Sequence, residues 1–279
     1  MKESDFLLEA LDQRWAQYRI DLKACRVEFS EEAVHDLRVD TRRLIAIFEI
    51  IRVIAPHPRV QKMRRIFKGQ LDGFDNLRDV QVMLADISEN IASLPELFPF
   101  QTYLRKREKR LLRIAEVRVR EIKLAVTTPG LQKMRQSLAA LPADELSLRL
   151  LQAVDKAFFK VKQRYGWIDP DQPASIHSVR VAFKKFRYMV ECIRPILPDF
   201  PETQFKRMHA YQAIMGDIQD EEVFLLTLAN FSARHTELNL ESVKQFYEHR
   251  FSQALNVYLD DKGELDTFWH AAPESNLSR

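Results

Sequence analysis

The chain has 279 residues, 46% hydrophobic and 30% charged, a globular composition that excludes a disordered one. With 43 Lys and Arg against 40 Asp and Glu the formal charge is only +3, so a polyanion site would have to come from how charge is distributed. Six glycines, with no GxGxxG and no GxxxxGKS/T, exclude glycine-rich phosphate loops, which leaves side chains or helix ends to build any anion site.

Phe6, Leu7, Leu11, Trp15, Tyr18 and Leu22 recur at helical spacing and predict a first helix behind a Ser4 cap. Ser30 with Glu31 and Glu32 is a good N-terminus for a second helix, because a hydroxyl cap and early acids suit the free N–H groups there. That helix carries VHDLRVDTRRL and should run to Pro56. At ~100° per residue, His35, Arg38 and Arg42 share one stripe, with Arg43 at its margin and Leu37, Leu44, Phe48 and Ile51 opposite. The pattern predicts a helix that buries one side and aims a histidine and several cations off the other.

Met63, Ile66, Phe67 and Leu71 mark a third helix, which also carries Arg65 and Lys68. Gly73 to Asn76 loosens the chain before a fourth with Val80, Met83, Leu84 and Ile87. Pro95 and Pro99 precede a long fifth helix ending near Thr127-Thr128-Pro129-Gly130. On it Lys106, Lys109, Arg110, Arg113 and Arg120 share a stripe, with Leu104, Leu111, Ala115 and Ile122 behind. Taken alone, that stripe fits a solvated face as well as a binding one.

A linker from Leu131 to Pro142 then leads to a second set in the same order. A helix from about Ser147 to Tyr165 comes first, and Pro170 and Pro173 precede IHSVRVAFKKFRYMVE. His177, Arg180 and Lys184 share a stripe there, with Val179, Phe186, Val190 and Ile193 behind. His35 and His177, Arg38 and Arg180, and Arg42 and Lys184 are each 142 positions apart. Helices over Phe205–Ile214, Glu221–Phe231 and Val243–Leu259 complete the set, the first of them carrying Lys206 and His209. LRDVQV at 77–82 is answered by IQDEEV at 218–223, and REKRL at 107–111 by YEHRF at 247–251, which brings in Arg250. The chain therefore reads as all-α, two antiparallel helical bundles related by an internal pseudo-two-fold repeat. Residues 1–128 and 129–279 are its two halves within a single domain.

A solvated face has no need to keep His, Arg and Arg/Lys in register twice, whereas an anion-binding surface does. The acids are drawn elsewhere in sequence, to Asp217–Glu222 and Asp260–Glu264. A metal suits this pattern poorly. Position +3 from each motif histidine is Arg and +4 is Val39 or Val181, and neighbouring cations repel a metal. Catalytic motifs are missing too, with no HExxH and no GxSxG. Glu49 and Glu191 are expected to tether nearby cations, and the repeated Asp79 and Asp220 to cap or pair at the bend between the third and fourth helices. Trp15, Trp167 and Trp269 are expected in core or edge packing. Cys25 and Cys192, without CxxC, fit a reducing compartment. Met1-KESD shows no signal peptide and no apolar run approaches ~18 residues, so the expected location is cytoplasmic, without a membrane.

HDLRVDTRRL, LRDVQV and IHSVRVAFKKFRYMVE resemble the CHAD family, the conserved histidine α-helical domain, in order over essentially the whole chain. The resemblance implies two helical bundles around a basic central cavity, binding of inorganic polyphosphate, and in some members association with polyphosphate granules. By motif position it implies His35, Arg38, Arg42, Arg43, His177, Arg180, Lys184, Lys185 and Arg187 as ligands. No cofactor is implied, and no ExExK motif of the triphosphate-processing CYTH domain is found, so hydrolysis would fall to a separate polyphosphate-processing enzyme. The fifth helix of the second half has Phe246 and Gln253 where the first has Lys106 and Arg113, which predicts a groove stronger on one side. The expected function is non-catalytic polyphosphate binding. A nucleic-acid-binding protein, a scaffold for acidic protein partners and a metal-dependent phosphohydrolase are the alternatives.

Overall fold

The computed structural model describes residues 3–269. It is all-α, with no strand among the described residues: α1 (Glu3–Val27), α2 (Glu31–Ile54), α3 (Pro58–Asp72), α4 (Asp75–Asn90), α5 (Phe98–Glu121), α6 (Thr128–Ala139), α7 (Ala143–Tyr165), α8 (Pro173–Ile193), α9 (Glu202–Ser232) and α10 (Glu241–Asp261). The expected cap of α2 is present: Ala33 N–H donates to Ser30 Oγ at 3.1 Å, with Glu31 and Glu32 in the first turn. Pro58, Pro99, Pro129 and Pro173 stand in the first turns of α3, α5, α6 and α8, where a missing N–H leaves no bond unmade.

Four expectations change. Residues 131–142 are mostly helical, because Pro129 starts α6 where the sequence suggested a breaker. The two helices expected over Phe205–Phe231 are one continuous α9, whereas α3 and α4 separate at Gly73 and Phe74. Helix α1 already includes Glu3, so Ser4 is helical and does not precede the helix as a cap. Trp15 and Trp269 are buried as expected, but Trp167, just past α7, is 68% exposed.

Helix α2 is the hub and packs against α1, α3, α7 and α8. It is therefore buried around most of its circumference rather than on one side: Arg38, Asp40, Thr41 and Glu49 are as enclosed as Leu44 and Phe48. One hydrophobic core draws mainly on α1, α2, α3, α6, α7, α8 and the first half of α9. A second joins Val80, Met83, Phe100 and Leu104 to Phe224, Phe231, Val243 and Tyr247. Each core takes residues from both sequence halves, so neither half closes its own interior. That sharing sets α2 directly against α8 and makes one site of two motifs.

The approach of α6 to α3 depends on a missing side chain. A Cβ at Gly130 would lie 2.5 Å from Met63 Cγ and 2.6 Å from its sulfur. Gly130→Ala should therefore destabilise the protein by about 1–2 kcal/mol through overpacking, despite the better helix propensity of Ala. Urea unfolding measures it, and a stabilised variant would show that Met63 moves aside freely.

Candidate cationic site between the two motif helices

Where α2 meets α8, the i, i+4 stripes Arg38–Arg42 and Arg180–Lys184 face one another. The charges of Arg42, Arg180, Arg38 and Arg187 all bear on Lys184. Burial, reinforced by those four guanidinium groups, brings the Lys184 ammonium down to about 7. Burial, together with Arg38 and Arg180, also lowers Arg42. Lysine and arginine ordinarily keep their heads in water. Here several are held half-buried beside one another, an arrangement whose self-repulsion an anion would relieve.

The members differ in what else they hold. Arg38, only 6% exposed, donates to Asp75 Oδ1 at 3.1 Å and to the Leu71 carbonyl at 3.4 Å. Arg187 donates to Gln212 Oε1 at 3.0 Å and pairs with Glu191. Arg42, Arg180 and Lys184 make no ion pair among the described residues, and Arg180 Nε is buried without a hydrogen-bond partner there. These three are the uncompensated cations of the site.

Acids are not kept away as the sequence suggested. Because α9 packs on α8 and α4 on α9, Asp217 and Asp220 come within reach of Arg180, and Asp79 within reach of Arg38. Burial, and then the charges of Asp75 and Asp220, raise Asp79 above the usual carboxylate range. Asp79 and Asp220 thus meet each other across the α4–α9 contact and cap nothing. Among the described residues no cluster of His, Cys, Asp and Glu could hold a metal ion.

The remaining expected ligands lie outside this centre. His35 and His177 are exposed near the N-terminal ends of their helices. Arg43 pairs with Asp40 at 2.9 Å and turns to a separate cavity of about 320 Å³ lined also by Arg14, Tyr188 and Arg194. Lys185 Nζ lies 2.8 Å from Glu49, which also binds Arg52 and Arg64. Arg65 lies on the outer side of α3 beside Arg59 and Lys62, and Lys68 pairs with Asp72 at 2.7 Å. Lys106, Lys109, Arg110 and Arg113 stand exposed on α5, and Lys206 is exposed on α9. Arg250 is taken by Asp86 and Glu221, each at 2.6 Å. The tethering expected of Glu49 and Glu191 is what the structure shows.

Three neighbours of the centre went unread. Tyr188, whose phenol group acts on Arg42 and whose ring lies under Arg187, continues the 180–184 stripe by one more step of four. Arg78 acts on Asp220, and Arg107 on Asp79. Arg78 sits beside the repeated Asp79, a signal that was available. Arg107 lies off the chosen stripe of α5.

Glu49 is a structural counterpart to the open cluster. Burial alone would raise its carboxyl, but Lys185 and Arg64 outweigh that and hold it at about 2. Its folded value lies below the unfolded one, so its contribution is present above about pH 4.5 and fades as pH falls towards 2. Glu49→Gln should cost about 3 kcal/mol at neutral pH, since three partly exposed cations lose one buried partner. A chemical-denaturation midpoint unchanged by the substitution would show that water replaces the carboxylate without loss.

A CHAD domain family profile matches residues 8–229. The crystal structure of the CHAD domain from the plant Ricinus communis superposes with a TM-score of 0.69 at 19% identity, covering 96% of this chain and 92% of that one. No curated protein matches the chain. The profile spans both motif helices and all the uncompensated cations, and with the all-α architecture it establishes that the chain belongs to the CHAD domain family.

Proposed function

We propose that this protein binds inorganic polyphosphate, without hydrolysing it, at the α2–α8 centre. The observation that carries the reading is the trio Arg42, Arg180 and Lys184, enclosed together with no anion of the protein bonded to them. Guanidinium groups grip phosphoryl oxygens through paired N–H donors and Lys184 adds point charge. Arg38 and Arg187 flank the seat, and exposed His35 and His177 lie where a long chain would leave it. The cations on α3, α5 and α9 form an outer field that draws in a polyanion and releases counterions as it binds.

Polyphosphate suits the seat better than a duplex does, because a flexible chain one phosphate wide can pass between helices. Tyr188 stands beside these cations, but one ring is not the run of stacking platforms that single-stranded nucleic acid uses. The reading carries with it a cytoplasmic location, association with polyphosphate granules, and a separate enzyme for any processing. No helix among the described residues is long and apolar enough to cross a membrane.

The test is competition at fixed salt and pH. Long polyphosphate should displace a labelled polyphosphate at far lower charge concentration than double-stranded DNA does. Equal displacement by DNA would favour nucleic-acid binding. Phosphate release by purified protein, lost on Arg180→Ala, would make it a phosphohydrolase. Binding of neither polymer would leave the scaffold for acidic proteins.

A further inference from the structure

We infer that the two halves of the site are unequal: Asp75 holds Arg38 as a built-in competitor for the anion, and Arg180, facing Gly216, is the standing phosphate seat. This rests on the polyphosphate reading above. Asp75 and Gly216 are 141 positions apart, the same offset that relates LRDVQV to IQDEEV. Each motif arginine lies against the residue at that offset. The Arg38 terminal nitrogen is 3.1 Å from Asp75 Oδ1, and a Cβ built on Gly216 would lie 3.6 Å from an Arg180 terminal nitrogen and 3.7 Å from its Nε. So where one half supplies a carboxylate, the other supplies no side chain.

The consequence is visible at Arg180, whose Nε is buried with no partner among the described residues. Asp217 and Asp220 act on it only through their field, and neither forms an ion pair with it. A buried, unmet guanidinium donor is a standing demand for an acceptor oxygen. Arg38 has its acceptor already. Asp75 is half exposed at the start of α4, so its carboxylate can turn out to water when a phosphoryl group arrives. Phosphate should therefore enter at Arg180 and engage Arg38 only by displacing Asp75.

Calorimetric titration with tripolyphosphate, at constant salt and pH, tests this with Asp75→Asn, Gly216→Asp and Gly216→Asn. Asp75→Asn should raise affinity about tenfold, the worth of one charge-assisted bond no longer competed for. Gly216→Asp should lower it about tenfold or more, and Gly216→Asn, similar in size without the charge, much less. Wild-type binding unchanged within twofold by both charge variants would overturn the inference, as would equal losses for Gly216→Asp and Gly216→Asn. If wild type bound neither tripolyphosphate nor long polyphosphate, the functional reading would fall first. Gain of tripolyphosphate binding in Asp75→Asn would then still support internal competition, and no gain would overturn it. Should Gly216→Asp fail to fold by circular dichroism, Asp75→Asn decides alone.

Discussion

Lys184→Met should make the empty protein more stable and its polyphosphate complex weaker. In the fold the ammonium is brought to about 7, from 10.5, by burial and then by Arg42, Arg180, Arg38 and Arg187. A lysine depressed in this way binds more protons when the chain is unfolded. Stability is therefore lost as pH falls from about 10.5 towards 7, and at neutral pH the site carries most of that penalty. Removing the charge should return about 1–3 kcal/mol, less than the full shift implies because the side chain is only partly enclosed. The same change should weaken polyphosphate binding by roughly 1.5–3 kcal/mol, or about tenfold to a hundredfold. Arg180→Ala should lose a similar amount of affinity with little loss of stability. Arg38→Ala should differ, since it empties a nearly buried position on α2 and removes its bonds to Leu71 and Asp75, lowering stability by about 1–3 kcal/mol. Thermal unfolding without ligand and titration with ligand separate the cases. If Lys184→Met were destabilised and bound normally, the cluster would be ordinary packing.

What the sequence made legible is the part set by helical periodicity. The phase of Arg38 and Arg42 and the Ser30 cap survive because they depend on neighbours within one helix. The pairings did not survive in the same way, because they depend on which helix packs on which. Arg250 looked like a groove cation on α10, but Asp86 and Glu221 come to it from α4 and α9. Lys185 sits one residue from Lys184, about 100° round the helix, and so reaches Glu49 on α2 instead of the open cluster. The enclosure of Arg38 could not be read from the amphipathic pattern of α2 alone. Several of its neighbours cover that side, and some cover it with acids. Continuity of α9 was obscured by Gly216, which a long packed helix tolerates and which leaves room for Arg180.

Polyphosphate affinity should rise as pH falls from about 9 to 7 and level off below it. With Lys184 at about 7 in the empty site, much of the protein above that pH lacks this charge. A bound polyanion reverses the local field and raises the group's pKa, so binding takes up a proton. Proton uptake means that affinity is greatest where the free site is already protonated, below about 7. It declines through the window between the free and bound values, and is flat again above the bound value. One linked proton bounds the slope at tenfold per pH unit, and about tenfold over the whole window is expected because uptake is partial near either end. Long chains at constant ionic strength are the proper probe, since their internal groups are strongly acidic and do not titrate here. Lys184→Arg should bind at least as tightly as wild type at pH 9 and show little pH dependence, because arginine keeps its charge throughout. The His35→Gln/His177→Gln double variant, altered only at exposed positions, should keep the wild-type profile. A pH dependence that disappeared in the histidine variant and persisted in Lys184→Arg would move the proton from the centre of the site to its rim. The cationic seat would stand in that case, with Lys184 reduced to a fixed charge.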